Sequence, residues 1–210
     1  MSGVPPPSKL TFVLASGSAG RLRVLRDAGI EPEVQVSGAD ETDDDGLSVA
    51  DLVQALAERK AAAVAADRPD ALVLGCDSLL ELDGEPLGKP ADAAAATAMW
   101  RRLSGREAPL LTGHCLIGPG GGTPLRGLAR TLVRFGRPTD AEIAAYVATG
   151  EPMSLAGAFS IDGRSAPFID GIDGDPSNVV GLSLPLLRRM LAESGLAITD
   201  LWRPAPPSLR

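Results

Sequence analysis

The sequence predicts an α/β fold built on a mixed sheet flanked by helices, and three observations point to it. Apolar runs of strand length alternate with amphipathic helical stretches. The alternation is irregular, unlike the strict βαβ rhythm of a doubly wound parallel sheet. Two turn signals, Asp83-Gly84 and Gly118-Pro119-Gly120-Gly121-Gly122, sit between consecutive apolar runs and imply antiparallel neighbours. At 210 residues the chain has the length of one domain, or of one domain with two lobes.

The elements follow in order. Residues 1–8 read as a Pro-rich tail rather than a signal peptide, and a single folded unit is expected over 9–202, with 203–210 a second loose tail. Leu10–Ala15 reads as a buried strand, too short to cross a membrane. A small-residue loop, Ser16–Gly20, leads into a helix over Arg21–Ala28 that stops at Gly29. Val34–Ser37 is a short strand and Asp40–Gly46 an acidic loop. Ser48 opens a longer helix to about Ala66, with Leu52, Ala55, Leu56, Ala62 and Ala63 as its apolar side. A strand pair occupies Ala71–Pro90, a helix Asp92–Leu103, and two strands Leu110–Ile117 and Leu125–Phe135. Thr139-Asp140-Ala141-Glu142 is a capping box for a short helix ending at Gly150. Short strands and turns are expected over Ala156–Gly174, and the last helix over Ser183–Ser194, where Pro185 falls in the first turn.

The apolar fraction is 44% but aromatics are only 3%, so Leu, Val and Ala are expected to carry the packing. The net charge of −7 and the lack of a Lys/Arg run argue against a nucleic-acid partner, while a local positive pocket for a small phosphate ligand stays open. Cys76 and Cys115 lack metal-ligand spacing and read as small core residues. With no membrane-spanning run, a cytoplasmic protein is the expectation.

Several residues could carry chemistry. Asp77 stands at the end of an apolar run, and Lys89 returns on a Gly-Lys-Pro corner, an arrangement suited to phosphate chemistry. An ordinary ion pair between these two across a hairpin is the alternative. The strand–loop–helix of Leu10–Ala28 offers a close backbone approach, a helix N-terminus and Arg21, or else a plain Gly/Ser loop. It has neither the Walker A nor the GxGxxG pattern. A carboxylate of Asp40-Glu41-Thr42 could join Asp77 on a divalent cation, and Asp43–Asp45 read as a solvated loop. Lys60 falls beside the packed face of its helix, where it snorkels or meets an anion. His114, the lone histidine, reads as structural, and no Ser/His/Asp or Cys/His constellation accompanies it.

Together these fragments resemble the Maf family of nucleoside triphosphate pyrophosphatases, in its actinobacterial branch. Leu14-Ala15-Ser16-Gly17-Ser18 with Arg21 is similar to the family's LASxSPRR opening. Asp40-Glu41-Thr42 resembles DET, Leu56-Ala57 with Lys60-Ala61 resembles LAxxKA, Gly75–Ser78 resembles GADT, and Leu87–Pro90 matches LGKP. Leu103-Ser104-Gly105, Thr112-Gly113, Tyr146-Val147 with Gly150-Glu151-Pro152, Ala156–Phe159 and Asn178–Leu182 continue the series. The matches cover roughly residues 10–195 in order.

The resemblance implies a long mixed sheet in two lobes around a cleft, similar to inosine triphosphatases. It implies hydrolysis of a nucleoside triphosphate between its α and β phosphates, with Mg²⁺ or Mn²⁺ as cofactor, Asp77 as general base, and Glu41 with Asp77 on the metal. Ser16, Arg21, Lys60 and Lys89 match the family's phosphate-facing residues. A homodimer is implied as well. A nucleotide-binding regulator of cell division or septum formation, with little turnover, is the alternative function. A nucleotidyltransferase is disfavoured because no second-substrate motif is visible.

Three departures bear on base selection. SPRR is Ser18-Ala19-Gly20-Arg21 here, so Gly20 replaces the first arginine, Ser78 replaces the Thr of GADT, and Asp162 replaces a Gln. Pyrimidine-selective members of the family carry Arg, Thr and Gln at these positions, whereas members acting on 7-methyl-GTP carry Trp and Glu at the first and third. Gly20 is expected to leave space, and selectivity is expected to be relaxed or atypical rather than strict for dTTP and UTP.

Overall fold

The computed structural model describes residues 10–39 and 46–203. The expected tails, apart from Arg203, and the Asp40-Glu41-Thr42 site lie outside the described residues. The elements are β1 (Phe12–Leu14), α1 (Ala19–Asp27), β2 (Glu33–Val34), α2 (Val49–Asp67), β3 (Leu72–Leu82), β4 (Glu85–Leu87), α3 (Ala93–Leu103), β5 (Glu107–Ile117), β6 (Leu125–Phe135), α4 (Asp140–Ala148), β7 (Ile169–Asp173), α5 (Pro176–Val179) and α6 (Leu184–Glu193).

One seven-stranded mixed sheet runs β2-β1-β3-β5-β6-β7, with β4 paired to β3. β1 is parallel to both β2 and β3, and all other pairs are antiparallel. The β3–β4 hairpin turns on Asp83 and Gly84, both at positive φ (58° and 80°), as a two-residue hairpin loop requires. The short strands and turns expected over Ala156–Gly174 are 3-10 turns at Ala156–Ala158 and Ala166–Phe168 and the single strand β7. A Pro and several glycines there deny a regular ladder.

Helix α2 sits unusually deep on the sheet. A Cβ on Gly75 would lie 2.3 Å from the Ala57 carbonyl oxygen, and one on Gly113 would lie 2.3 Å from that of Val53. Backbone therefore meets backbone, and the helix is fixed in rotation. Its buried stripe is Val49, Leu52, Val53, Leu56, Ala57, Lys60, Ala61 and Val64. The expected stripe is thus corrected: Ala62 is exposed, and Ala55 and Ala63 are only half-buried. Helix periodicity in a run of alanines leaves the phase open; the two sheet glycines set it.

The core is also unlike the expected Leu/Val/Ala packing throughout. Leucines and a methionine fill the side that holds β1, α1 and α6. Trp100, Phe135, Tyr146 and Phe159, joined by Phe168, dominate the side that holds β4, α3 and α4. The cleft runs between these two cores.

Candidate functional site

The cleft arises from the topology. β1 lies between β2 and β3, reached through α1 and α2, so the crossovers leave in opposite directions and a crevice opens at its carboxyl end. On that edge of β3, β1 pairs with Leu72–Leu74 and β4 with Leu80–Leu82. Gly75–Leu79 have no strand partner there among the described residues. The resulting cavity is about 980 Å³, large enough for a nucleotide-sized ligand.

Asp77 and Ser78 occupy this gap and, as successive strand residues, point to opposite faces of the sheet. Asp77 turns toward α2, where Lys60 Nζ donates to its Oδ1 at 2.6 Å. Both are largely buried, at 7% and 9% exposure. A buried pair of this kind loses heavily when one partner is removed, so it fixes the position of both groups. The second carboxylate oxygen, Oδ2, carries no hydrogen bond among the described residues.

On the other face, Arg21 is spent on three neighbours. Its guanidinium donates to the Gly181 carbonyl at 2.8 Å, to Ser16 Oγ at 3.0 Å and to Ser78 Oγ at 3.1 Å. Ser78 Oγ is also hydrogen-bonded to Thr112 Oγ1 at 3.0 Å, with either hydroxyl able to donate. Ser18 caps α1, accepting from the Arg21 N–H at 3.4 Å, so the helix presents its N-terminus to the cleft. Aligned peptide dipoles make that end favourable for an anion. Lys89 is exposed on the opposite lip.

The cleft thus gathers Ser16, Gly20, Arg21, Lys60, Asp77, Ser78, Lys89 and Asp162, drawn from distant parts of the chain. Glu41 lies outside the described residues, and no cluster of three or more metal-ligating side chains occurs among the described ones. One alternative and one expectation need correction. The ion pair of Asp77 is with Lys60, not Lys89, because the deep seating of α2 brings Lys60 over the strand. Gly20 does not open space: a Cβ there would stand 3.0 Å from the Val180 carbonyl oxygen. Its small size lets α1 pack against the segment that supplies Gly181.

His114 is fully buried away from the cleft. Its Nε2 accepts from the Ser183 N–H at 2.9 Å, which leaves the proton on Nδ1, 3.1 Å from the Thr112 carbonyl. Burial lowers its pKa to about 4. Cys76 and Cys115 are free and buried, and burial raises their thiols to about 12 and about 11, so neither offers a thiolate.

Two cleft residues were given no role in the sequence reading. Arg23 pairs with Asp162 across the cleft mouth. Glu151 accepts from the Arg164 N–H at 2.8 Å and packs under Gly163, holding the loop that carries Asp162. The helical period was the available signal for Arg23, which lies one turn from Ala19 on the same face.

Comparison with known proteins identifies the family. The Maf-like protein family model matches residues 11–194. A protein of Streptomyces coelicolor named nucleoside triphosphate pyrophosphatase is 59% identical over 95% of this chain and 98% of its own length. One of the same name from Saccharopolyspora erythraea is 50% identical over 93% of this chain and 98% of its own. A crystal structure of a nucleoside-triphosphatase (dITP/XTP pyrophosphatase) from Mycobacterium abscessus aligns at a TM-score of 0.40 and 18% identity, covering 61% of this chain and 76% of that one, too loosely to support any argument. With the family model spanning nearly the whole sheet and both lips of the cleft, the chain belongs to the Maf family.

Proposed function

We propose that the chain is a nucleoside triphosphate pyrophosphatase, a hydrolase that cleaves standard or modified nucleoside triphosphates to the monophosphate and pyrophosphate. The observation that carries this reading is the buried Lys60–Asp77 pair on the floor of a cleft whose walls hold Arg21, Lys89 and the N-terminus of α1. The names of the curated relatives support it.

The chemistry follows from the placement. Lys60 holds one oxygen of Asp77, leaving Oδ2 to accept a proton from a water molecule. That water attacks the α-phosphorus, the bond to the bridging oxygen breaks, and pyrophosphate leaves with the electron pair. General-base assistance of this kind contributes about 10²–10⁴-fold. Lys89, the α1 N-terminus and the Arg21 guanidinium offset phosphate charge, while Ser16 and Ser78 are held in place by Arg21.

A divalent cation, Mg²⁺ or Mn²⁺, fits this donor set. Such a hard ion needs only one or two carboxylates and completes its shell with water and phosphate oxygens. Asp77 and Glu41 are the two carboxylates we assign to hold it. When bound, the ion would neutralise charge on the phosphate oxygens. No helix among the described residues is long and apolar enough to cross a membrane. We place the protein in the cytoplasm, where its substrates are, and propose a homodimer on the strength of the family resemblance.

The test is pyrophosphate release from a panel of standard and modified triphosphates with Mg²⁺ or Mn²⁺, for the wild type and Asp77→Asn. The variant should keep its circular dichroism spectrum and lose about 10²–10⁴-fold in kcat. Equal rates would remove Asp77 as the base. Absence of release from every substrate would transfer the reading to a nucleotide-binding regulator.

A further inference from the structure

We infer that Arg23 is a specificity-determining residue, and that Asp162 acts through it rather than by reading the base itself. This inference rests on the pyrophosphatase reading, because it assigns the far end of the same cleft.

The cationic groups near Asp77 claim the phosphates, so the nucleoside lies toward the mouth. There, Arg23 on α1 meets Asp162 on the opposite lobe, and they form the ion pair that joins the two lips among the described residues. The loop carrying Asp162 is held independently of Arg23. The fully buried Ser165 hydroxyl accepts from the Ser160 N–H at 2.8 Å and donates to the Ser160 carbonyl at 3.0 Å. Glu151 fixes the far side of the same loop. Asp162 is therefore delivered to a set place.

Both of its carboxylate oxygens are engaged, one by Arg23 and the other by the Ser160 hydroxyl. Each oxygen keeps a second lone pair, but a carboxylate only accepts and so cannot meet a base carbonyl. Arg23 is different: only one terminal nitrogen is used, and its Nε and second terminal nitrogen carry no hydrogen bond among the described residues. Arg21, the neighbouring guanidinium, is already committed to Ser16, Ser78 and Gly181. Gly20 contributes no side chain. The donors left at the mouth are thus those of Arg23, oriented by Asp162.

A guanidinium only donates. It favours a base whose pyrimidine C4 or purine C6 carries a carbonyl oxygen over one that carries an amino group there. The chemical class selected is therefore uracil, thymine, guanine and hypoxanthine, with a carbonyl at that position, over adenine and cytosine, with an amino group at it. The exposed pair is weak enough to adjust to a ligand.

The test measures kcat/KM for UTP, dTTP, GTP and ITP against ATP and CTP, in the wild type, Arg23→Ala and Asp162→Asn. Binding of the α,β-methylene analogues is measured alongside. The wild type should prefer the keto set. Arg23→Ala should lower kcat/KM for that set about tenfold, mainly through KM, and leave ATP and CTP nearly unchanged. Asp162→Asn, which retains an acceptor, should weaken the preference by less. An equal loss on all nucleotides would make Arg23 a phosphate contact and overturn the inference. A preference abolished by Asp162→Asn but not by Arg23→Ala would overturn it too, making Asp162 the reader. If no nucleotide is hydrolysed, the analogue affinities still decide the selection, so failure of turnover and failure of selection are read separately.

Discussion

On the β4 side of the cleft, Trp100 stands edge-on to Phe135, Tyr146 and Phe168 at centroid distances of 5.8, 5.6 and 5.7 Å, and Phe159 stands edge-on to Phe135. On the β1 side the core is Leu14, Leu25, Leu72, Leu74, Leu187, Met190 and Leu191, with Phe12 the one aromatic ring of that buried cluster. The aromatic side carries the loop of Asp162, flanked in sequence by Phe159 and Phe168. The aliphatic side carries Ser16, Arg21 and Gly181. On the proposed reading, base selection and phosphate handling rest on separate cores, joined at the floor by β3 and at the mouth by Arg23 and Asp162.

Trp100→Ala is the largest way to break this division. The ring is fully buried and its indole N–H donates to the Ala158 carbonyl at 2.9 Å. Removing it should cost about 3–5 kcal/mol in a urea titration. Below its unfolding midpoint the variant should show a higher KM for nucleotides and a nearly unchanged KI for pyrophosphate. A matching rise in both would mean that the two cores do not divide the work.

His114→Gln probes the other side. The neutral ring ties β5 to the cap of α6 through Ser183, two residues from the carbonyl that holds Arg21. Its folded pKa of about 4 lies below the ordinary 6.5. Between those values the unfolded chain takes up a proton that the folded chain refuses, so stability is complete above pH ~6.5 and falls as pH drops toward about 4. The loss amounts to about 3 kcal/mol. Urea midpoints at about pH 7 and about pH 4.5 should differ less in His114→Gln than in the wild type. An unchanged difference would mean that the histidine is not the titrating group.

What could be read in advance follows the range of each cue. The β3–β4 hairpin was legible because Asp83-Gly84 encodes its own turn, and the α4 cap because Thr139 and Glu142 satisfy each other locally. The cleft residues Asp77, Lys60 and Arg21 were legible as ordered motifs. Their partners were not: that Lys60 rather than Lys89 meets Asp77 depends on glycines in two other strands. The Arg23–Asp162 contact spans 139 residues and leaves no local trace. The aromatic cluster was hidden because a low total count says nothing about where the rings gather.

Gly75→Ala tests the seating that joins the two sides, with the smallest cost in stability. The new Cβ would lie 2.3 Å from the Ala57 carbonyl oxygen and 2.7 Å from the Ala61 amide nitrogen, main-chain atoms that no rotamer change can move. Helix α2 must lift, at about 1–3 kcal/mol. Lys60 lies between those two contact points, so lifting the helix there carries its ammonium away from Asp77. kcat should fall well beyond what the folded fraction explains. Gly113→Ala lifts the same helix at Val53, two turns before Lys60, and should give a similar midpoint shift with a smaller loss of kcat. If both variants lose activity alike, α2 responds as a rigid rod and the local contact at Gly75 has no separate role. If neither does, catalysis tolerates displacement of Lys60, and Asp77 is held by the strand alone.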